Sequence, residues 1–149
     1  MMTRFSWFRS PLFSVIAITL MTACVPHSTS SDGTSLVGTE WRLAELHDAP
    51  STKAPGERQP NIRFEEDLRL SGFTGCNNVS GRYTRQGTEL GVDGPLAMTR
   101  MACLDPQLNA QEQRLAAVLE AMNRYTIAAD LLTLYGPEGR LARFQAVSE

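Results

Sequence analysis

The chain of 149 residues carries 14 basic and 16 acidic side chains, which gives a formal charge of −2 at pH 7, and 42% of its residues are hydrophobic. This mildly acidic balance argues against nucleic acid as a partner, because binding to phosphates requires a basic surface. The length is sufficient for one domain with one hydrophobic core.

The first residues have the three-part pattern of a secretory signal peptide. Two arginines precede an almost wholly apolar run at residues 11–21, and the small residues Thr22 and Ala23 follow. This run is too short to cross a bilayer as an anchor. We therefore predict a cleaved leader at residues 1–23. Its loss removes two basic residues and no acidic residue, so the mature chain has a formal charge of −4.

A cysteine follows this leader, and the sequence Met21-Thr-Ala-Cys24 resembles a bacterial lipobox. We predict that Cys24 is lipidated and anchors the mature protein to a membrane. Val25 rather than aspartate comes next, which by resemblance to Gram-negative lipoproteins predicts the outer membrane, with the protein facing the periplasm. Residues 24–35 then form a polar tether. The alternative is an ordinary signal peptide that is cut nearby, with Cys24 incidental.

Short alternating segments separated by turn residues predict strands in the first half of the domain. Residues 48–60 contain three prolines and are predicted to be a surface loop. Gly75, Asn77 and Gly81 predict a tight turn or bulge between two antiparallel strands, because Gly and Asn tolerate left-handed backbone. The predicted strands lie at residues 36–46, 62–64, 68–70 and onward, 79–83, and 88–101, where Gly94-Pro95 is expected to break the last one.

The pattern changes to a helical period near residue 105. Asp105 is a capping residue and Pro106 suits the first helical position, while Asn109 with Glu112 offers an alternative capping box. Apolar residues at three- and four-residue spacing then predict one amphipathic helix over about 105–123. Three strands follow at 125–127, 131–135 and 141–147, and a hairpin turn at 136–139 joins the last two.

Many short strands and a single helix predict a mainly β domain, of the β-rich α+β class, over residues 36–147. Sequential antiparallel strands can close into a small β-barrel, which removes unpaired edges. Trp41, Phe64 and Tyr83 are expected in the core, because small barrels usually fill their interior with side chains. The alternative is a cavity lined by Trp41, Phe73, Tyr83 and Met101.

Two cysteines remain in the domain, Cys76 and Cys103, and in an oxidising compartment such a pair is a disulfide candidate. A thiolate nucleophile would need a base, but His27 and His47 lie in no recognisable motif. A structural zinc site would need paired cysteines or histidines at short spacing. We therefore predict a disulfide, no metal or other cofactor, and no enzymatic activity.

An ordered set of motifs carries a resemblance to a known family. The segment SGFTGCNNVSGRY at residues 71–83 is followed by TRMAC at 99–103 and then by the predicted helix. With Gly38-x-x-Trp41, these motifs resemble the META domain family, which includes heat-shock lipoproteins of the HslJ type. The resemblance implies a lipocalin-like antiparallel β-barrel with the helix inserted before the last strands. It also implies a bacterial envelope protein linked to stress or antibiotic tolerance, with no established enzymatic activity.

Gly75 and Asn77 are expected to shape the backbone turn that aims Cys76 inward, and Gly81 to allow a strand bend or a close approach. Two functions remain open. The first is a binding or interaction module that presents its surface to another envelope protein. The alternative is a carrier or sensor of a small apolar ligand, such as a lipid or a hydrophobic drug, held in the barrel.

Overall fold

Nine strands and one α-helix lie along residues 33–147, the part of the chain that this computed structural model describes. The predicted leader, the predicted lipid site at Cys24 and most of the predicted tether lie outside the described residues. The elements are β1 Glu40–Leu46, β2 Ala49–Pro50, a short 3₁₀ turn Pro55–Glu57, β3 Asn61–Phe64, β4 Arg69–Phe73, β5 Asn78–Gln86, β6 Glu89–Met98, α1 Pro106–Ala121, β7 Arg124–Ala128, β8 Leu131–Gly136 and β9 Gly139–Ala146.

The strands form one antiparallel sheet that closes on itself. From β3 to β9 each strand pairs with the next strand along the chain, and β1 pairs with both β3 and β9. The two-residue strand β2 adds to one edge of β1. β6 and β7 pair through Glu89 and Arg124, and α1 packs beside β6. This closed ring with a single helix confirms the predicted fold class.

The helix α1 begins where Asp105 caps it. The Asp105 carboxylate accepts hydrogen bonds from the backbone N–H groups of Gln107 and Leu108, at 2.8 and 3.3 Å. The helix therefore starts as predicted from the aspartate and not from the alternative capping box, since Glu112 bonds elsewhere. It ends at Ala121, slightly before the predicted end. Within residues 33–147, no helix has the length and apolar character needed to cross a membrane.

The residues before β1 run from the β7–β8 turn to the end of β3. Thr34 donates its backbone N–H to the carbonyl oxygen of Ala129, at 3.4 Å. Leu36 is 2% exposed, and its carbonyl oxygen accepts a hydrogen bond from Trp41 Nε1 at 3.0 Å. β1 therefore begins at Glu40 and not at the predicted start, because the preceding segment packs across the ring.

The predicted loop at residues 48–60 is fixed to α1 by two hydrogen bonds. The Gln111 side chain accepts from the Thr52 backbone N–H at 2.6 Å, and it donates to the Thr52 carbonyl oxygen at 2.8 Å. A buried amide bonded in this way satisfies backbone groups that the loop would otherwise leave unpaired. The loop therefore holds a defined position beside the first turns of the helix.

Side chains fill the interior of the ring. Trp41, Phe64 and Tyr83 are at most 2% exposed and pack with the inner face of α1, so the prediction that they form the core is confirmed. The alternative prediction, a cavity that Phe73 and Met101 help to line, is wrong. Phe73 belongs to a separate apolar cluster with Leu108, and Met101 is 67% exposed at the surface.

β6 continues through Gly94-Pro95, where the sequence predicted a break. The register between β5 and β6 shifts there, so that Gly81 alone faces residues 94–96. Such a bulge tolerates proline, because its residues need not donate to the ladder. A Cβ atom on Gly81 would lie 2.6 Å from Leu96 Cδ2, which is the close approach predicted for this glycine.

Candidate binding site

The turn between β4 and β5, at residues 74–77, is the centre of the candidate site. Gly75 has a φ of +134°, a conformation that residues with a side chain rarely adopt. Its backbone packs against α1, where Leu108 Cδ2 lies 3.7 Å from the position that a Cβ atom would take. Thr74 and Asn77 are 0% and 5% exposed. The turn is therefore buried against the helix.

Glu112 of α1 accepts hydrogen bonds from three residues of this turn. Its Oε2 atom accepts from the Thr74 hydroxyl and the Asn77 backbone N–H, both at 2.7 Å, and from the Cys76 backbone N–H at 3.2 Å. Its Oε1 atom accepts from the side-chain amide of Asn77 at 2.7 Å. The residue is 7% exposed. A buried carboxylate with this many donors fastens the helix to the turn.

Asn77 connects the same turn to the segment that precedes α1. Its Oδ1 atom accepts from the Thr99 hydroxyl at 2.8 Å and from the Met101 backbone N–H at 2.7 Å. Its Nδ2 atom also lies 3.3 Å from the Met101 carbonyl oxygen and donates to it. An amide side chain suits this position because it both donates and accepts. Asn77 therefore acts through its side chain and not, as predicted, through left-handed backbone.

Burial alone would raise the pKa of Glu112, but the hydrogen bonds from Thr74, Asn77 and Cys76 act in the opposite direction. The hydrogen bonds prevail, so the pKa of this carboxyl lies below its ordinary value of 4.5. Glu112 is therefore a carboxylate at neutral pH. Its charge stabilises the turn, whereas a group used for proton transfer would have a pKa near the working pH.

A disulfide joins Cys76 in the turn to Cys103, which lies just before α1. Their Cα atoms are 5.6 Å apart, within the usual range for a disulfide. Both cysteines pack against the small apolar cluster next to α1. The disulfide, Asn77 and Glu112 thus connect the turn, the TRMAC segment and the helix into one unit.

A cleft of about 440 Å³ opens beside this disulfide. Its floor is apolar, because Phe73 and Leu108 line it and are 7% and 2% exposed. Met101 and Leu104 stand at its rim and are 67% and 95% exposed. We call this feature the apolar cleft, and we define it by Ala54, Arg58, Phe73, Met101, Leu104 and Leu108.

The rim of the apolar cleft has more exposed large hydrophobic side chains than the rest of the described surface. Among residues 33–147, the large hydrophobic side chains with high exposure are Leu68, Met101 and Leu104, and two of these three border the cleft. Apolar surface in water is unfavourable, and a contiguous exposed patch is typical of an interaction site. The arrangement can therefore bind an apolar group.

The structure brings together four of the residues that the sequence singled out, namely Gly75, Cys76, Asn77 and Cys103. Gly81 lies apart from them, on β5 and opposite the bulge in β6. Among the side chains of residues 33–147, no group of three His, Cys, Asp or Glu residues could hold a metal ion.

The sequence analysis did not predict that Glu112 and Leu104 belong to the site. A signal for Glu112 was present, because it lies four residues after Leu108 and three before Leu115, on the apolar face of the helix. A carboxylate on a buried face indicates an internal partner. Leu104 gave no such signal, since its exposure depends on the path that the chain takes before the helix.

These features define a class of protein. It is a small domain in which antiparallel strands close into a ring, one helix precedes the last three strands, and a disulfide ties a glycine-containing turn to the start of that helix. A family model described as META domain matches residues 34–148. The chain therefore belongs to the META domain family.

One curated relative is the protein named heat shock protein HslJ from Escherichia coli (strain K12), which is 39% identical over 75 residues. The match covers 50% of this chain and 52% of the relative. The chain thus spans about half the length of the curated relative that it matches.

Solved structures share the fold. An NMR structure of a protein that is 30% identical has a TM-score of 0.58 and covers 72% of this chain and 88% of its own. An NMR structure of a protein from Burkholderia xenovorans, 23% identical, has a TM-score of 0.60 with coverages of 76% and 85%. A crystal structure of a DUF4847 family protein from Bacteroides vulgatus, 12% identical, has a TM-score of 0.50 with coverages of 76% and 96%. The last two similarities concern the fold alone.

Proposed function

We propose that this protein is a non-enzymatic lipoprotein of the bacterial envelope, and that its META domain is a binding module used during envelope stress. The name of the E. coli relative supports the link to stress. The predicted leader and the predicted lipid site at Cys24 support the location.

The binding surface of the module is the apolar cleft, and its occupant is an apolar side chain of an envelope protein. The exposure of Met101 and Leu104 beside a buried apolar floor carries this proposal. A site on the outer surface is favoured over one inside the ring, because core side chains already occupy the interior. Burial of one large apolar side chain contributes about 1.5–3 kcal/mol to such an interaction.

Crosslinking in living cells tests the cleft. A photo-reactive amino acid placed at Leu104 is expected to capture a discrete envelope protein, whereas the same amino acid at Leu68, which is 41% exposed but outside the cleft, is not. Adding Met101→Ser should lower the capture at position 104 by about tenfold, because it removes apolar contact area. Equal capture at both positions, or capture that Met101→Ser leaves unchanged, would contradict the proposal.

Membrane anchoring through Cys24 is a separate part of the proposal. We expect the wild-type protein to sediment with the outer membrane, and the Cys24→Ser variant to appear in the soluble periplasmic fraction, because the acyl chains supply the membrane affinity. Ser28→Ala, a change in the predicted tether, is the matched control and should sediment like the wild type. If Cys24→Ser sedimented with the membranes, lipid anchoring would be wrong.

A further inference from the structure

Arg58 gives the apolar cleft a positive charge. Its guanidinium lies over the ring of Phe73, 3.6 Å from the ring centroid, and the side chain is exposed. Among the residues that the structure describes, no carboxylate forms a salt bridge with it. The neighbouring Glu57 pairs with Lys53, and Asp105 caps α1. The Arg58 cation is therefore available to a ligand in the cleft.

A second cation lies next to the rim. Arg100 directly precedes Met101, is exposed, and forms no salt bridge within the described residues. Arg100 lines a neighbouring groove, whereas Arg58 and Asp105 line the cleft itself. The Asp105 carboxylate accepts hydrogen bonds from the N–H groups of Gln107 and Leu108, so Arg58 is the charge of the cleft that is left to pair with a ligand. Opposite charges across an interface select the partner and speed its association. The local charge thus favours an anionic group in whatever occupies the cleft.

We propose that the occupant of the apolar cleft is a protein segment that carries an acidic residue beside its apolar anchor. This inference rests on the proposed function and names the chemistry of the partner. The anchor packs on Phe73 and Leu108, and the carboxylate pairs with Arg58. A guanidinium stacked on an aromatic ring keeps the N–H groups at its edge free for such a bidentate pair.

A protein segment fits this site better than a free small molecule does. Small-molecule sites usually enclose most of the ligand surface. Leu104 is 95% exposed at the rim, so a ligand confined to the cleft would cover only the part of this side chain that lines it and would leave the rest in water. A segment of a larger partner would cover Leu104 and fill the cleft at the same time.

Peptide binding to the full-length protein in phospholipid nanodiscs tests this chemistry. The probes are fluorescent peptides that share a Leu-Phe anchor and differ only in the next residue, which is glutamate, glutamine or lysine. We expect the glutamate peptide to bind about fivefold more tightly than the glutamine peptide, and the lysine peptide to bind more weakly than both. Arg58→Gln should abolish this preference, while Arg85→Gln, an exposed arginine outside the cleft, should retain it. High salt should reduce the preference.

The variant Leu104→Ser separates this inference from the proposed function. It should weaken the binding of all the peptides by a similar factor, because it removes apolar contact and no charge. Equal binding of the glutamate and glutamine peptides, with continued sensitivity to Leu104→Ser, would overturn the acidic partner and leave the binding module in place. Failure of every peptide to bind the wild type would contradict both. If dodecanoate displaced the glutamate peptide in an Arg58-dependent manner and bound more tightly, the occupant would be a free amphiphilic acid, and the inference would be wrong.

Discussion

Replacing Glu112 by alanine is expected to lower the free energy of unfolding by about 3 kcal/mol or more. The substitution leaves the backbone N–H groups of Cys76 and Asn77 without an acceptor. The Thr74 hydroxyl and the Asn77 amide lose one acceptor each but keep the carbonyl oxygens of Asn77 and Met101. Each buried donor that loses its partner costs about 1–3 kcal/mol. Urea denaturation followed by tryptophan fluorescence measures the change.

A matched control distinguishes this loss from a general effect of removing charge from the helix. Glu120 lies on the same helix and is exposed. Glu120→Gln should change the stability by no more than about 0.5 kcal/mol, as is usual at exposed positions. The stability of Glu112→Gln should lie between that of the control and that of Glu112→Ala. Its amide oxygen can still accept hydrogen bonds from the turn, but its amide NH₂ group replaces the second acceptor oxygen and faces other donors. If Glu112→Ala were as stable as Glu120→Gln, the network around the turn would contribute nothing to the fold.

The same carboxylate gives the stability a defined dependence on pH. Because hydrogen bonds hold the pKa of Glu112 below 4.5 in the folded state, the native protein favours the ionised form. Its contribution is fully present above pH 4.5 and is lost as the pH falls through the folded-state pKa. The wild type should therefore lose stability more steeply below pH 4.5 than Glu112→Gln does. Parallel curves for the two proteins from neutral to acidic pH would show that this group does not act through its charge.

Local signals in the sequence predicted much of the fold. The helix start depends on a side chain that caps N–H groups two and three residues away, so Asp105 with Pro106 was sufficient to locate it. The turn at Gly75 is likewise local, because its φ of +134° suits glycine. The alternation of apolar and polar residues is also a local signal, because it shows which face of a strand is buried, and it predicted most of the strands.

The features of the fold and of the site that the sequence did not predict depend on contacts between distant parts of the chain. Gly94-Pro95 reads as a strand break in isolation, yet both residues lie in a bulge of β6 that faces Gly81 of β5. Asn77 reads as a turn former, but its amide bonds to Thr99 and Met101, more than twenty residues away. The apolar cleft depends on three segments that meet only in the folded domain, so no single stretch of sequence indicates it. The site was therefore harder to predict than the fold.

Loss of the Cys76–Cys103 disulfide is expected to lower the free energy of unfolding by about 3–4 kcal/mol in the chain-entropy model. The bond closes a loop between residues 27 positions apart, which restricts the unfolded chain. The double variant Cys76→Ala with Cys103→Ala should show this loss, and so should the wild type in a dithiol reductant. The reduced wild type retains both sulfur atoms next to Phe73, so its stability relative to the double variant measures the packing contribution alone.

A cycle that combines this double variant with Glu112→Ala shows where the disulfide acts. If the disulfide mainly restricts the unfolded chain, the turn stays bonded to Glu112 without it, and the two losses should add within about 0.5 kcal/mol. If the disulfide instead holds the turn in the folded state, its removal weakens the hydrogen bonds to Glu112, and the combined loss should fall short of the sum by about 1 kcal/mol or more. We expect additivity, because Glu112 alone accepts hydrogen bonds from three turn residues. The apolar cleft should then keep its shape in the reduced protein, and peptide binding should survive reduction wherever the domain remains folded.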